Sequence, residues 1–203
     1  MNQIAFWNVT WGYLCVQLVG VFGLVMNVVS YQANTNKRIV RIQIFGCLFW
    51  IVHFLLLGRY SAGAYTGAAM NAGGLLRNCV FAMRPKKWAA HPAWVYIFCF
   101  GYVLSGIFTW NGPVCLLPMA GMLFGTVSLY VLEPKLTRRL GAACSCGWLI
   151  FNILTRSIPG AVCETLTLVS IGTAMVKYDR KARPSGPPIP AQPSSKQKSW
   201  NIN

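Results

Sequence analysis

Apolar residues run through the chain in seven stretches, at 13–30, 39–57, 62–83, 94–108, 114–132, 140–155 and 158–176, and the short segments between them, with the tail, hold most of the Lys and Arg. An apolar helix needs about 20 residues to cross the hydrocarbon of a bilayer, so the spacing predicts seven transmembrane helices, the fourth and sixth being short. Residues 1–11 contain no Lys or Arg, and no small-residue cleavage site follows them. The first stretch is therefore expected to be a retained helix and not a signal peptide.

Composition strengthens this reading. Of 203 residues, 55% are hydrophobic and only 10% charged, with a mean hydropathy of +0.49. A soluble domain carries about a quarter of its residues as charges, so this chain has too few to cover a water-facing surface. The net charge of +15 raises nucleic acid as a partner. The distribution argues for membrane topology instead, because the cations fall between apolar runs. Starting outside, the loops that reach the cytoplasm hold Lys37, Arg38 and Arg41, then Arg84, Lys86 and Lys87, then Lys135, Arg138 and Arg139, then Lys177, Arg180, Lys181, Arg183, Lys196 and Lys198. The outer loops hold Arg59 and Arg156, and Arg77 lies inside a helix. That bias puts the N-terminus outside and the C-terminus in the cytoplasm of a plasma membrane, with the lipid bilayer as the partner and nucleic acid excluded. Trp7, Trp11 and Trp110 fall at outer boundaries and Trp88 and Trp94 at inner ones, where indoles favour headgroup depth.

The eight cysteines sit in or beside apolar segments, so no extracellular disulfide framework is expected. Cys144 and Cys146 lack a second ligand pair at zinc spacing, and neither a metal nor a cofactor is expected. Past Arg180 the chain is rich in Pro, Ser, Gln and Lys and is expected to be a disordered basic tail. Its P-x-x-P spacing could dock a proline-binding domain, though a tail resting near anionic lipid is the plainer reading.

An internal repeat orders the helices. Phe49-Trp50-Ile51-Val52-His53, with Gly63 opening the next helix, answers Gly147-Trp148-Leu149-Ile150-Phe151 with Gly160, and Phe22-Gly23 answers Phe124-Gly125. Helices one to three therefore correspond to helices five to seven. The expected fold is an all-α membrane protein of two parallel three-helix bundles joined by a linker helix. Its divisions are residues 1–83, 84–112 and 113–178, with the tail at 179–203.

Trp50, Asn71, Trp148 and Leu168 fall within about two residues of their helix centres, near the membrane midplane. Gly63, Gly67, Asn71, Gly74 and Asn78 share an arc of about 80° on the third helix, with Arg77 beside it. For the glycines close helix packing is the simpler account, whereas polar groups at such depth face a cavity or a buried partner. Glu164 is an intramembrane carboxylate. Depth along the helices pairs it with His53, as a gate or proton site or as a plain structural hydrogen bond, and leaves Arg77 to snorkel toward the cytoplasm.

From Trp50 through His53-Phe54-Leu55-Leu56-Leu57-Gly58 to Gly63, in Met70-Asn71-Ala72, in Leu116-Leu117-Pro118 and from Trp148 to Gly160 and Glu164, the chain resembles the YgjV-type bacterial inner-membrane proteins. Those are similar in turn to the MtN3, SWEET and PQ-loop transporters. The resemblance implies a Trp from the second or sixth helix and an Asn from the third or seventh holding a solute at mid-membrane, which Trp50, Trp148 and Asn71 fit. Leu168 stands where a second Asn is expected, and Gly20, Gly23, Gly121 and Gly125 are left as hinge candidates. The expected function is alternating-access transport of a small neutral polar solute, sugar- or nucleoside-like. The alternative is a non-transporting scaffold with a packed core. With only three acidic residues and no nucleophile beside a base, no enzyme site is expected.

Overall fold

The structure, a computed structural model, describes residues 3–4, 9–31, 36–83, 86–131 and 133–179. The tail beyond Arg180, the Lys37 and Arg38 side chains and Trp7 lie outside the described residues. Apart from a two-residue antiparallel pairing of Gln3–Ile4 with Val9–Thr10, the described elements are helical. They are α1 (Trp11–Tyr31), α2 (Asn36–Leu57), α3 (Ala64–Ala82), α4 (Ala93–Phe108), α5 (Leu116–Tyr130), α6 (Pro134–Leu154) and α7 (Ile158–Ala174), which runs into a π-helical turn at Met175–Asp179. A helix thus stands at each of the seven apolar stretches.

Among the described residues three segments are long and apolar enough to cross a membrane: Trp11–Ser30, Pro113–Tyr130 and Ile158–Tyr178. Arg41–Leu57 and Ala93–Phe108 are apolar but shorter. Against seven expected spans, α3 and α6 fall short of that standard for a visible reason. The first carries Asn71, Arg77 and Asn78, and the second begins with Lys135, Arg138 and Arg139.

Prolines at the first turns of α6 and α7 stand where their missing N–H costs nothing. Helices adjacent in sequence pack most extensively, α1 on α2, α2 on α3, α5 on α6 and α6 on α7. Smaller contacts of α3 with α4 and α5, of α4 with α5, and of α1 with α7 close a ring.

The polarity of this ring is inverted relative to a water-soluble protein. Phe108, Tyr96, Phe100, Val169, Ile107 and Leu18 are exposed, while Gln17, His53, Thr66, Arg77, Thr126, Ser145 and Asn152 are buried. An apolar exterior of this extent is stable against lipid and not against water.

Glycines let two indoles into the interior. A Cβ on Gly23 would lie 2.9 Å from the Trp50 indole, and one on Gly121 would lie 2.9 Å from that of Trp148. From 23 to 50 and from 121 to 148 is 27 residues in each case. By contact, then, the partner of Gly23 is Gly121 and not Gly125, which corrects the pairing drawn from Phe22-Gly23 and Phe124-Gly125. Gly20 faces Pro159 and His53, and Gly125 faces Cys144 Sγ. All four glycines expected as hinges sit inside unbroken helices and serve close approach of a neighbouring side chain.

Gly23→Val should therefore drive a side chain into the Trp50 ring and cost about 1–3 kcal/mol of stability. The drop should appear as a lower melting temperature of detergent-solubilised protein, with partial recovery in Gly23→Val/Trp50→Phe. A single variant that melts like the parent would show that the indole can step aside.

Candidate solute-binding cavity

The ring of helices encloses a cavity of about 330 Å³. Its described wall comes from α1, α2, α3, α5, α6 and α7, and α4 contributes nothing to it. Trp50, Asn71 and Trp148, singled out from the sequence, all line it. Both indoles are 8% exposed, so they face the interior and not the lipid. Phe54, one turn after Trp50, has its ring 6.0 Å from the Trp50 ring and 6.0 Å from the Trp148 ring, and so bridges α2 and α6. Asn71 donates one N–H to the Gly67 carbonyl of its own helix at 2.9 Å. On α7 the wall carries Glu164, Thr167 and Ile171, with Leu168 turned elsewhere.

Two features depart from expectation, and a third was not singled out from the sequence. First, His53 and Glu164 are not partners. His53 is fully buried, with Nδ1 2.9 Å from the Val16 carbonyl oxygen and Nε2 2.8 Å from Ser157 Oγ. A carbonyl only accepts, so Nδ1 carries the hydrogen. Depth put the two residues near the same level, but they face different sides of their helices: His53 looks toward α1 and the α6–α7 turn, while Glu164 lines the cavity with the Ser145 hydroxyl as its hydrogen-bonding neighbour.

Second, Arg77 does not snorkel. Its side chain is 9% exposed and turns into the cavity wall, donating from Nη1 to Thr126 Oγ1 at 3.1 Å and from Nε and Nη2 to Asn78 Oδ1 at 3.4 and 3.2 Å. Acceptors on its own helix and on α5 hold the guanidinium inward. Third, Asn152, one turn after Trp148, is 2% exposed and its Oδ1 has no hydrogen-bond partner. It lines both the central cavity and a second, larger one of about 1040 Å³ beyond the α6–α7 turn.

That turn is a knot of polar groups. Arg156 adopts φ 58°, a left-handed conformation that costs a non-glycine residue roughly 1 kcal/mol or more. Its carbonyl accepts from Tyr13 Oη at 2.6 Å and from Gln17 Nε2 at 3.0 Å, while Gln17 Oε1 accepts from the Ile158 N–H at 3.1 Å. With His53 these bonds fasten α1, α2 and the α6–α7 turn at one end of the cavity.

A family model described as a bacterial inner membrane protein, Imp-YgjV, matches residues 14–182, which takes in α2 to α7 and all but the first turn of α1. The chain belongs to the YgjV family. It is similar to inner membrane protein YgjV of Escherichia coli (strain K12), with 26% identity over 169 residues, or 83% of this chain and 86% of that relative. No solved structure matches it. Family membership makes it a bacterial inner membrane protein, in keeping with the apolar exterior and buried polar interior of this YgjV relative.

Because the His53 ring, the Ser157 hydroxyl and the Val16 carbonyl satisfy one another in the dry interior, His53→Ala should cost about 1–3 kcal/mol. Ser157→Ala alone should cost less, and the double variant should cost less than the two singles summed. Additive losses in thermal melting would mean that the bonds are not coupled.

Proposed function

We propose that the chain is a carrier of a small polar solute, expected from the sequence to be neutral, working by alternating access, with α1–α3 and α5–α7 as two parallel three-helix bundles, α4 as their linker, the N-terminus outside and the C-terminus in the cytoplasm. One observation carries the reading. A single cavity is built by six helices, three from each side of α4, with Trp50, Asn71 and Trp148 on its wall. Membrane carriers of the inverted or parallel repeat type hold their solute at such a junction. The equal spacing of Gly23 from Trp50 and of Gly121 from Trp148 supports a duplicated plan, and the Lys and Arg bias between loops supports the orientation.

The size of the cavity, about 330 Å³, lies at the lower end of the range for small-molecule sites and suits a compact solute. Trp50, Phe54 and Trp148 offer faces on which a sugar or nucleoside ring stacks, and Asn71 offers amide hydrogen bonds. The His53–Ser157 and Gln17–Arg156 bonds form the outer closure. Beyond them the larger cavity is a vestibule, with Asn152 on the wall between the two. Glu164, facing the cavity without His53, is the group available for proton coupling, and Glu164→Gln transport that keeps its pH profile would remove that role.

A scaffold without transport is the competing reading. Its support is specific: each indole is packed on a glycine and next to Phe54, as a structural core requires. A thermal-shift screen of purified protein with sugars, nucleosides and amino acids separates the two, because specific binding raises the melting temperature by mass action. The carrier reading expects at least one class to do so, and Trp50→Ala to weaken that binding roughly tenfold. A panel without effect, together with a Trp50→Ala variant that loses only stability, would favour the scaffold.

A further inference from the structure

Arg77 carries a charge that the carrier reading, on which this inference rests, does not by itself explain. A guanidinium presents five N–H donors and stays charged in any protein environment. Three of those donors point at the neutral oxygens of Thr126 and Asn78. Both acceptors are themselves held in place: the Thr126 hydroxyl gives its hydrogen to the Met122 carbonyl at 2.7 Å, and the Asn78 amide nitrogen lies 3.9 Å from Cys47 Sγ. They orient the fork without cancelling its charge. Among the described residues one N–H on each terminal nitrogen stays uncommitted.

Among the described residues no carboxylate forms an ion pair with it. The acidic residues are Glu133, Glu164 and Asp179. Glu133 is exposed at the start of α6, and Glu164, although it lines the same cavity from α7, has Ser145 as its neighbour. A cation in a low-dielectric interior without an anion is costly, and a neutral side chain of similar size would fill the same space. An anion supplied by the ligand removes that cost, and a planar fork with one free N–H on each terminal nitrogen matches the two oxygens of an oxyanion.

We propose that Arg77 is the anion-binding pole of the central cavity, so that the solute carries a carboxylate or phosphate group at that end and its apolar or ring portion against Trp50, Phe54 and Trp148. Arg77 brings one positive charge to the cavity, enough to balance one negative charge. The solute is therefore a compact monoanion, and a carboxylate fits better than a phosphate that is near doubly charged at neutral pH.

The test uses the full chain in detergent and pairs of probes that differ in charge: glucuronate and its methyl ester, lactate and lactamide, glucose and glucose 6-phosphate. The expected result is a concentration-dependent rise in melting temperature with an acid and not with its neutral partner. Binding should be about 30-fold or more weaker in Arg77→Gln and partly retained in Arg77→Lys. Without solute, Arg77→Gln should melt at or above the parent temperature, because it removes an unpaired buried charge. Should that variant fail to fold, the comparison of acid with neutral partner on the parent protein still decides. Neutral partners that stabilise as well as the acids would overturn the inference and leave the carrier reading standing. Silence from acids and neutral probes alike would remove both.

Discussion

Phe54 between Trp50 and Trp148 is the contact on which the rest of the molecule turns. Its ring stands 6.0 Å from each indole and 5.8 Å from Phe151, so four aromatic side chains meet where α2 faces α6. Such a column can form only if flanking helices come close enough to enclose it. Gly23 on α1 and Gly121 on α5 allow that approach, and Gly67 on α3 opens room for Phe54 and Phe151. The polar cavity lies beside this column, with Trp50, Phe54 and Trp148 on its wall.

The second constraint follows from the first. A gap kept open in a membrane interior has to be lined by groups that are satisfied or that await a ligand, because lipid offers no hydrogen bonds. At the α6–α7 turn the satisfaction is complete enough to hold Arg156 in a left-handed conformation, with His53, Ser157, Gln17 and Tyr13 all engaged. Deeper in, it is incomplete. Asn152 Oδ1 has no partner, and Arg77 meets only neutral acceptors. The two regions therefore differ in kind: a closed end built from saturated hydrogen bonds, and a cavity whose polar groups keep spare capacity.

Much of this was legible in the sequence, for reasons that can be named. Long apolar runs interrupted by charge favour helices, and among the described residues a helix stands at each of the seven stretches. Trp50 and Trp148 share a local motif, and an indole at mid-helix has little alternative to an interior position. Depth along a helix could be counted, but the direction a side chain faces around it could not, so His53 and Glu164 were matched by level although one looks to α1 and the other to the cavity. Arg77 followed the same logic: snorkelling is the default for a lone arginine, and the Thr126 hydroxyl that turns it inward lies on a helix 49 residues away. The glycine pairing was readable after all, since Gly121 stands at the same interval before Trp148 as Gly23 before Trp50. Phe124-Gly125 resembled Phe22-Gly23 more closely in letters, and the letters misled.

Solvent access at Asn71 tests the central claim most directly. In a background with the native cysteines replaced, Asn71→Cys should react with a small membrane-impermeant thiol reagent from one side of the membrane, and Leu168→Cys, placed off the cavity wall, should not. A position 71 that stays unreactive from both sides, or reacts no faster than position 168, would contradict a water-accessible space between the two sets of helices.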